Sequence, residues 1–157
     1  MYLTLRLDET KESTEKQGLF LRRAANIAAR SPVRCHRHGC IIVKDGEVVA
    51  EGYNHHAIQF EHKFTVHAEI DALMKLKKNR KILSECELYV VRIGTDHMGR
   101  PLKYSKPCSD CTRAILKAGI KRVYFSTDHQ FHEALTKLKE EEGLMNGVPL
   151  PIAQVAD

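Results

Sequence analysis

The chain has 157 residues, with 25 Lys and Arg against 20 Asp and Glu, a net charge of +5 and a pI near 9.0. Hydrophobic residues make up 43% and charged residues 29%, which excludes a disordered or low-complexity chain. The length suits a single domain over residues 1–157, with its core over about 18–142. No apolar run approaches the ~20 residues of a membrane span, and Arg6, Asp8 and Glu9 interrupt any apolar leader. The chain therefore reads as soluble and cytoplasmic, with no membrane partner.

In chain order, Met1–Leu7 alternates with period two and predicts a short edge strand, and the polar stretch Asp8–Gln17 an exposed segment. Gly18–Arg30 carries Ala, Leu and Ile at helical spacing and stops before Ser31-Pro32. Gly39–Lys44, the turn pair Asp45-Gly46 and Glu47–Tyr53 predict an antiparallel hairpin. His67–Lys78 reads as a helix, Glu87–Ile93 as a buried strand and Gly94–Lys106 as a loop. Cys108–Ala118 is a second central helix capped by Gly119, Lys121–Ser126 a strand and Phe131–Glu142 a charged helix. The order β-β-α-β-α-β-α predicts a layered α/β domain with a mixed sheet.

Five cysteines, an odd number, argue against a fully paired disulfide framework, and nine histidines accompany them. In a reducing compartment, clustered Cys and His point to metal or catalysis. His67-Ala68-Glu69 opens one central helix and Pro107-Cys108-Ser109-Asp110-Cys111 opens the next. Cys108 and Cys111 are spaced i, i+3, on one helical face, in a first turn where the helix dipole favours thiolate. Pro107 suits a helix start because its missing N–H has no intrahelical partner there. Parallel strands deliver the helices that follow them to one edge of a sheet, so His67, Cys108 and Cys111 can converge.

Two thiolates and a neutral imidazole balance the charge of Zn²⁺ and leave a fourth position open, the pattern of catalytic rather than structural zinc. Zinc brings a bound water to a pKa near 7, and Glu69 is placed to move protons. Residues i and i+2 point about 200° apart on an ideal helix. His67 must therefore sit at or just before the first turn for both side chains to face one centre.

The pairing of His-Ala-Glu with Pro-Cys-x-x-Cys resembles the cytidine/deoxycytidylate deaminase superfamily of zinc-dependent nucleobase deaminases, over about Arg34 to Ser126. Cys40–Gly46 through Gly52-Tyr53-Asn54 resembles that family's opening hairpin, and Cys111 to Phe125 its helix–strand unit. The resemblance implies a three-layer α-β-α domain whose mixed sheet has about five strands, the first two an antiparallel hairpin. It implies one catalytic zinc held by His67, Cys108 and Cys111, with Glu69 as proton shuttle and Asn54 bonding the substrate's sugar or base. It also implies a homo-oligomer. Ala68 and His55 complete the candidate substrate-binding set beside the zinc site. The segment Gly94–Lys106 is longer than the family's usual connection, and its Arg100 is a candidate for reading a substrate phosphate.

The reaction so implied is hydrolytic deamination of a cytosine-containing nucleotide or nucleoside, of the dCMP type. The runner-up is adenosine deamination in transfer RNA, followed by cytosine deamination in single-stranded DNA, so nucleic acid stays open as a partner. Aromatics at 6% and the lack of Trp offer few stacking platforms for a single strand. From a different class comes a binding module with closed structural zinc, its fourth ligand Cys35, Cys40 or His62. The cluster Cys35-His36-Arg37-His38-Gly39-Cys40 invites a second zinc, but Cys40 starts an apolar strand, where a buried thiol is the ordinary explanation. Cys86 reads as core.

Overall fold

The computed structural model describes residues 11–59, 61–94, 102–127 and 145–149. The strand at Met1–Leu7, the helix at Phe131–Glu142 and Arg100 all lie outside the described residues. A first helix, α1, runs Lys11–Ala28, seven residues earlier than the apolar pattern predicts. Lys, Glu and Gln are strong helix formers, so the polar stretch extends the helix, and Gln17 within it is buried rather than exposed. The end falls at Ala28 rather than Arg30. The Arg30 and Ser31 amides instead donate to Ile27 and Ala28 in a tightening turn before Pro32.

Strands β1 (His38–Lys44) and β2 (Glu47–Tyr53) form the expected hairpin. Asp45 and Gly46 both take positive φ (51° and 80°), which the tight turn demands. Two elements that the sequence pattern did not reveal follow: β3 (His55–Gln59) and β4 (His62–Val66), a separate two-stranded hairpin. Helix α2 spans Ala68–Lys75, a 3₁₀ turn Arg80–Glu85, and strand β5 Cys86–Ile93. A two-residue strand β6 (Leu102–Lys103) lies within the predicted loop. Then come α3 (Ser109–Ala118), β7 (Arg122–Thr127) and β8 (Met145–Pro149). Gly119 caps α3 in the left-handed conformation, φ 95°, as expected.

The sheet orders as β2-β1-β5-β7-β8, with β6 paired to β5. β5–β7 and β7–β8 are parallel, while β2–β1, β1–β5 and β5–β6 are antiparallel. Alternation along the strands splits the core. Ile41, Val43, Tyr89, Val91 and Ile93 pack with Leu21, Ala24, Ile27 and Ala28 of α1. Cys40, Ile42, Leu88, Val90, Val123 and Phe125 pack on the other face with Ala68, Ala72 and Leu76, and with Ile115 of α3. This is the three-layer α-β-α arrangement with a mixed sheet.

Two glycines set how closely the helices approach. A Cβ on Gly39 would strike the backbone of Ala24 and Ala28, and one on Gly52 would lie 2.5 Å from both Ala68 O and Ala72 N. Helix α2 is thus seated directly against β2, which fixes where its first turn sits. Among the described residues, no helix is long and apolar enough to cross a membrane.

Candidate metal centre and active site

The parallel pair β5–β7 brackets α3. Strand β2, antiparallel to β1 as β5 is, runs the same way as β5 and leads toward α2, so both helix starts lie at the carboxyl ends of β2 and β5. His67 is the N-cap of α2, with extended backbone (φ −72°, ψ 152°), and its carbonyl accepts the Asp71 N–H at 3.0 Å. Because His67 precedes the first turn, it and Glu69 can face one centre. Cys108 is the N-cap of α3, also extended (φ −66°, ψ 169°), and its Sγ accepts the Cys111 N–H at 3.4 Å. Thr112 locks the same turn through its hydroxyl, which donates to Cys108 O at 2.8 Å.

His67 Nδ1 lies 3.3 Å from Cys111 Sγ and 3.6 Å from Cys108 Sγ, and all three ligand atoms fall within 4.8 Å of one another. Tetrahedral zinc, with Zn–S near 2.3 Å and Zn–N near 2.0–2.1 Å, places sulfur and nitrogen ligands about 3.5 Å apart. Spacing and donor types both fit zinc. Among the described residues this is the one such cluster.

Burial pushes the Cys111 thiol well up, with the Glu69 carboxylate and Cys108 pushing the same way. Desolvation opposes the charged thiolate of the bare site, and a bound cation favours release of that proton. Glu69 is 4% exposed, and burial raises its carboxyl. Its own backbone amide and His67 oppose that rise. A raised carboxyl suits a group that must both take and give protons near neutrality.

A cavity of about 330 Å³ opens at this centre, lined by His67, Ala68, Glu69, Cys108 and Asn54, with Val33, Cys35, His36, His38, Thr65, Ser105 and Lys106. The size is at the lower end of the ~300–1,000 Å³ usual for small-molecule sites.

Asn54 reaches this cavity as expected, yet its side chain is also engaged with the protein. Its Oδ1 accepts the His38 N–H and its Nδ2 donates to His36 O, both at 2.8 Å. One amide hydrogen and a second lone pair remain. The Ser31 hydroxyl holds the Asn54 carbonyl at 2.6 Å.

His55 is not among the lining residues. Its Nδ1 contacts Tyr53 O at 3.0 Å and its ring meets Tyr53 edge-on. Cys40 and Cys86 are buried core thiols, while Cys35 is exposed at the cavity. Sequence reasoning missed His38, Thr65 and Ser105 as lining residues. Thr65 belongs to the unforeseen β3–β4 hairpin, and Ser105 is a small residue with no motif of its own.

Comparison with known proteins decides the family. The cytidine and deoxycytidylate deaminase zinc-binding region matches residues 14–127. The chain belongs to this family.

The family match runs from within α1 to the end of β7 and includes both helix starts of the metal centre. The chain is 27% identical over 138 residues to ComE operon protein 2 of Bacillus subtilis, covering 80% of this chain and 66% of that protein. It is 30% identical over 134 residues to a probable cytosine deaminase of Schizosaccharomyces pombe, covering 84% and 71% respectively. The chain thus spans just under two thirds of the Bacillus relative. The crystal structure of dCMP deaminase from cyanophage S-TIM5 in apo form superposes with a TM-score of 0.60 at 23% identity, covering 90% of this chain and 99% of that one. That likeness is one of fold.

Proposed function

We propose that the chain is a zinc-dependent hydrolase that converts a cytosine-containing nucleotide or nucleoside, of the dCMP type, to its uracil form with release of ammonia. The observation that carries this reading is the convergence of His67, Cys108 and Cys111 at one end of a cavity whose wall holds the buried carboxyl of Glu69. His67, Cys108 and Cys111 hold the metal, which when bound supplies a water acidified to near neutrality.

The chain's own groups do the rest. Glu69 accepts a proton at its carboxylate, delivers it to N3 of the pyrimidine and carries a second to the departing 4-amino group. One water is consumed and one ammonia released, consistent with general acid–base catalysis. Ala68 and Asn54 line the pocket that positions the base or sugar, and Ser31, His36 and His38 hold Asn54 in place. Exposed Met74 and Leu116, on the outer surfaces of α2 and α3, support assembly as a homo-oligomer. A structural-zinc module is less well supported, since three ligands and an open cavity leave the metal accessible.

An ammonia-release screen of zinc-loaded protein tests the reading, with dCMP, dCTP, cytidine, deoxycytidine, a single-stranded oligonucleotide and transfer RNA as substrates. Fastest turnover is expected on a free cytosine nucleotide or nucleoside. Turnover confined to transfer RNA would give the adenosine reading, and no ammonia from any of them would remove the enzymatic one.

A further inference from the structure

His38, Arg92 and Lys103 are direct neighbours across three strands, β1, β5 and β6, at the carboxyl end of β5. Opposed residues on adjacent strands share a face, with Cβ atoms ~4.5–5.5 Å apart. Leu88 and Val90 of β5 point into the core beneath α2 and α3. Alternation therefore places Arg92 on that same face, the one on which the metal-site cavity opens. His38 itself lines the cavity, and Ser105 and Lys106, just beyond β6, line it too.

Arg92 Nε is buried and has no hydrogen-bond partner, the one such side-chain atom among the described residues. None of the ion pairs among the described residues involves Arg92. A buried charged donor left without an acceptor is unfavourable, so such an atom calls for a water, ion or ligand to complete it. The surroundings select an anion. The cavity wall carries His36, His38, His67 and Lys106 against the single carboxyl of Glu69. Burial holds His38 below its ordinary value, and the Arg92 charge pushes the same way, so Arg92 is electrically felt at the cavity wall.

We infer that Arg92, flanked by His38 and Lys103, forms an anion subsite beside the metal cavity and takes the phosphate of the substrate. A guanidinium fork matches two oxygens of a phosphate, and Lys103 adds a point charge. Sequence alone pointed to Arg100 for this role, which lies outside the described residues. The inference deepens the proposed function by selecting the phosphorylated substrate, and it rests on that reading only for the base.

The test is equilibrium binding to zinc-loaded protein by calorimetry, using inorganic phosphate, dCMP, deoxycytidine and a short cytosine oligonucleotide without terminal phosphate. Phosphate should compete with dCMP. Arg92→Met should weaken dCMP and phosphate by roughly ten- to a hundredfold, the effect of a charged hydrogen bond, and leave deoxycytidine unchanged. Arg92→Lys, keeping charge without the fork, and Lys103→Met should each give a smaller loss of the same selectivity. These two serve if Arg92→Met does not fold.

Equal weakening of dCMP and deoxycytidine, or of neither, overturns the subsite. Loss confined to the oligonucleotide overturns it in favour of nucleic-acid backbone. Phosphate binding through Arg92 in a protein that deaminates no cytosine ligand would remove the proposed function and leave the subsite standing.

Discussion

His67 Nδ1 and Cys111 Sγ lie 3.3 Å apart although 44 residues separate them in the chain. Each belongs to the start of a different helix, and the starts meet because β2, which leads toward α2, and β5, which leads toward α3, are both antiparallel to β1 and so run the same way. Removing either thiol should therefore undo both a ligand set and a tether. Cys108→Ser or Cys111→Ser should lower bound zinc from about one equivalent to near none, by elemental analysis, and lower the melting temperature. Cys86→Ser, in the core and outside the cluster, should keep its zinc.

The seat of α2 on β2 is equally testable. Gly52→Ala would place a methyl 2.5 Å from Ala68 O and Ala72 N, so α2 must move. Overpacking of this kind typically costs about 1–3 kcal/mol, readable by urea denaturation. Because His67 caps α2, zinc affinity should fall with stability. A variant with parent-like stability would show that the close approach is not obligatory.

Ser105 and Ser126 tie the segment after β6 to β7. Their hydroxyls are 2.8 Å apart, Ser126 Oγ donates to Lys103 O at 2.7 Å, and it accepts the Arg92 N–H at 3.1 Å. Ser126→Ala leaves buried backbone groups unpaired and should cost about 1–3 kcal/mol. Unchanged denaturation would show that water replaces the hydroxyl.

His38 gives a pH dependence. Burial chiefly, together with Arg92, His67 and His36, holds its pKa below 6.5, while its bond to His36 O opposes this. The unfolded chain thus takes up a proton at a higher pH than the folded one does. This contribution to stability is present above about pH 6.5 and lost as pH falls through the lower folded value. His38→Asn, whose amide can replace the Nδ1–H donor to His36 O, should flatten the loss of melting temperature between neutral and mildly acidic pH. Parallel pH profiles would contradict the assignment.

Much of the centre was legible because its chemistry sits at helix starts, where Pro107, the Cys-x-x-Cys spacing and the apolar runs around them all agree. The strands β1, β2, β5 and β7 were legible for a similar reason: they are apolar and bounded by turn residues. The β3–β4 hairpin was not. Its residues from His62 to Thr65 are exposed, and Ile58 and Phe64 face outward, so no buried face imposes alternation. β8 was hidden by Gly147 and Pro149, poor strand formers tolerated here only by pairing with β7. Arg92 looked like one polar residue in a buried strand. Only the register beside His38 and Lys103 shows its place.

The central claim is that Glu69 moves the protons of a zinc-dependent deamination. The most direct measurement sets ammonia release from the best cytosine substrate beside zinc content, for the parent and for Glu69→Gln. Zinc should be retained while turnover falls by at least the ~10²–10⁴-fold of a lost general acid–base group. Glu69→Gln with full zinc and activity within about tenfold of the parent would contradict the account.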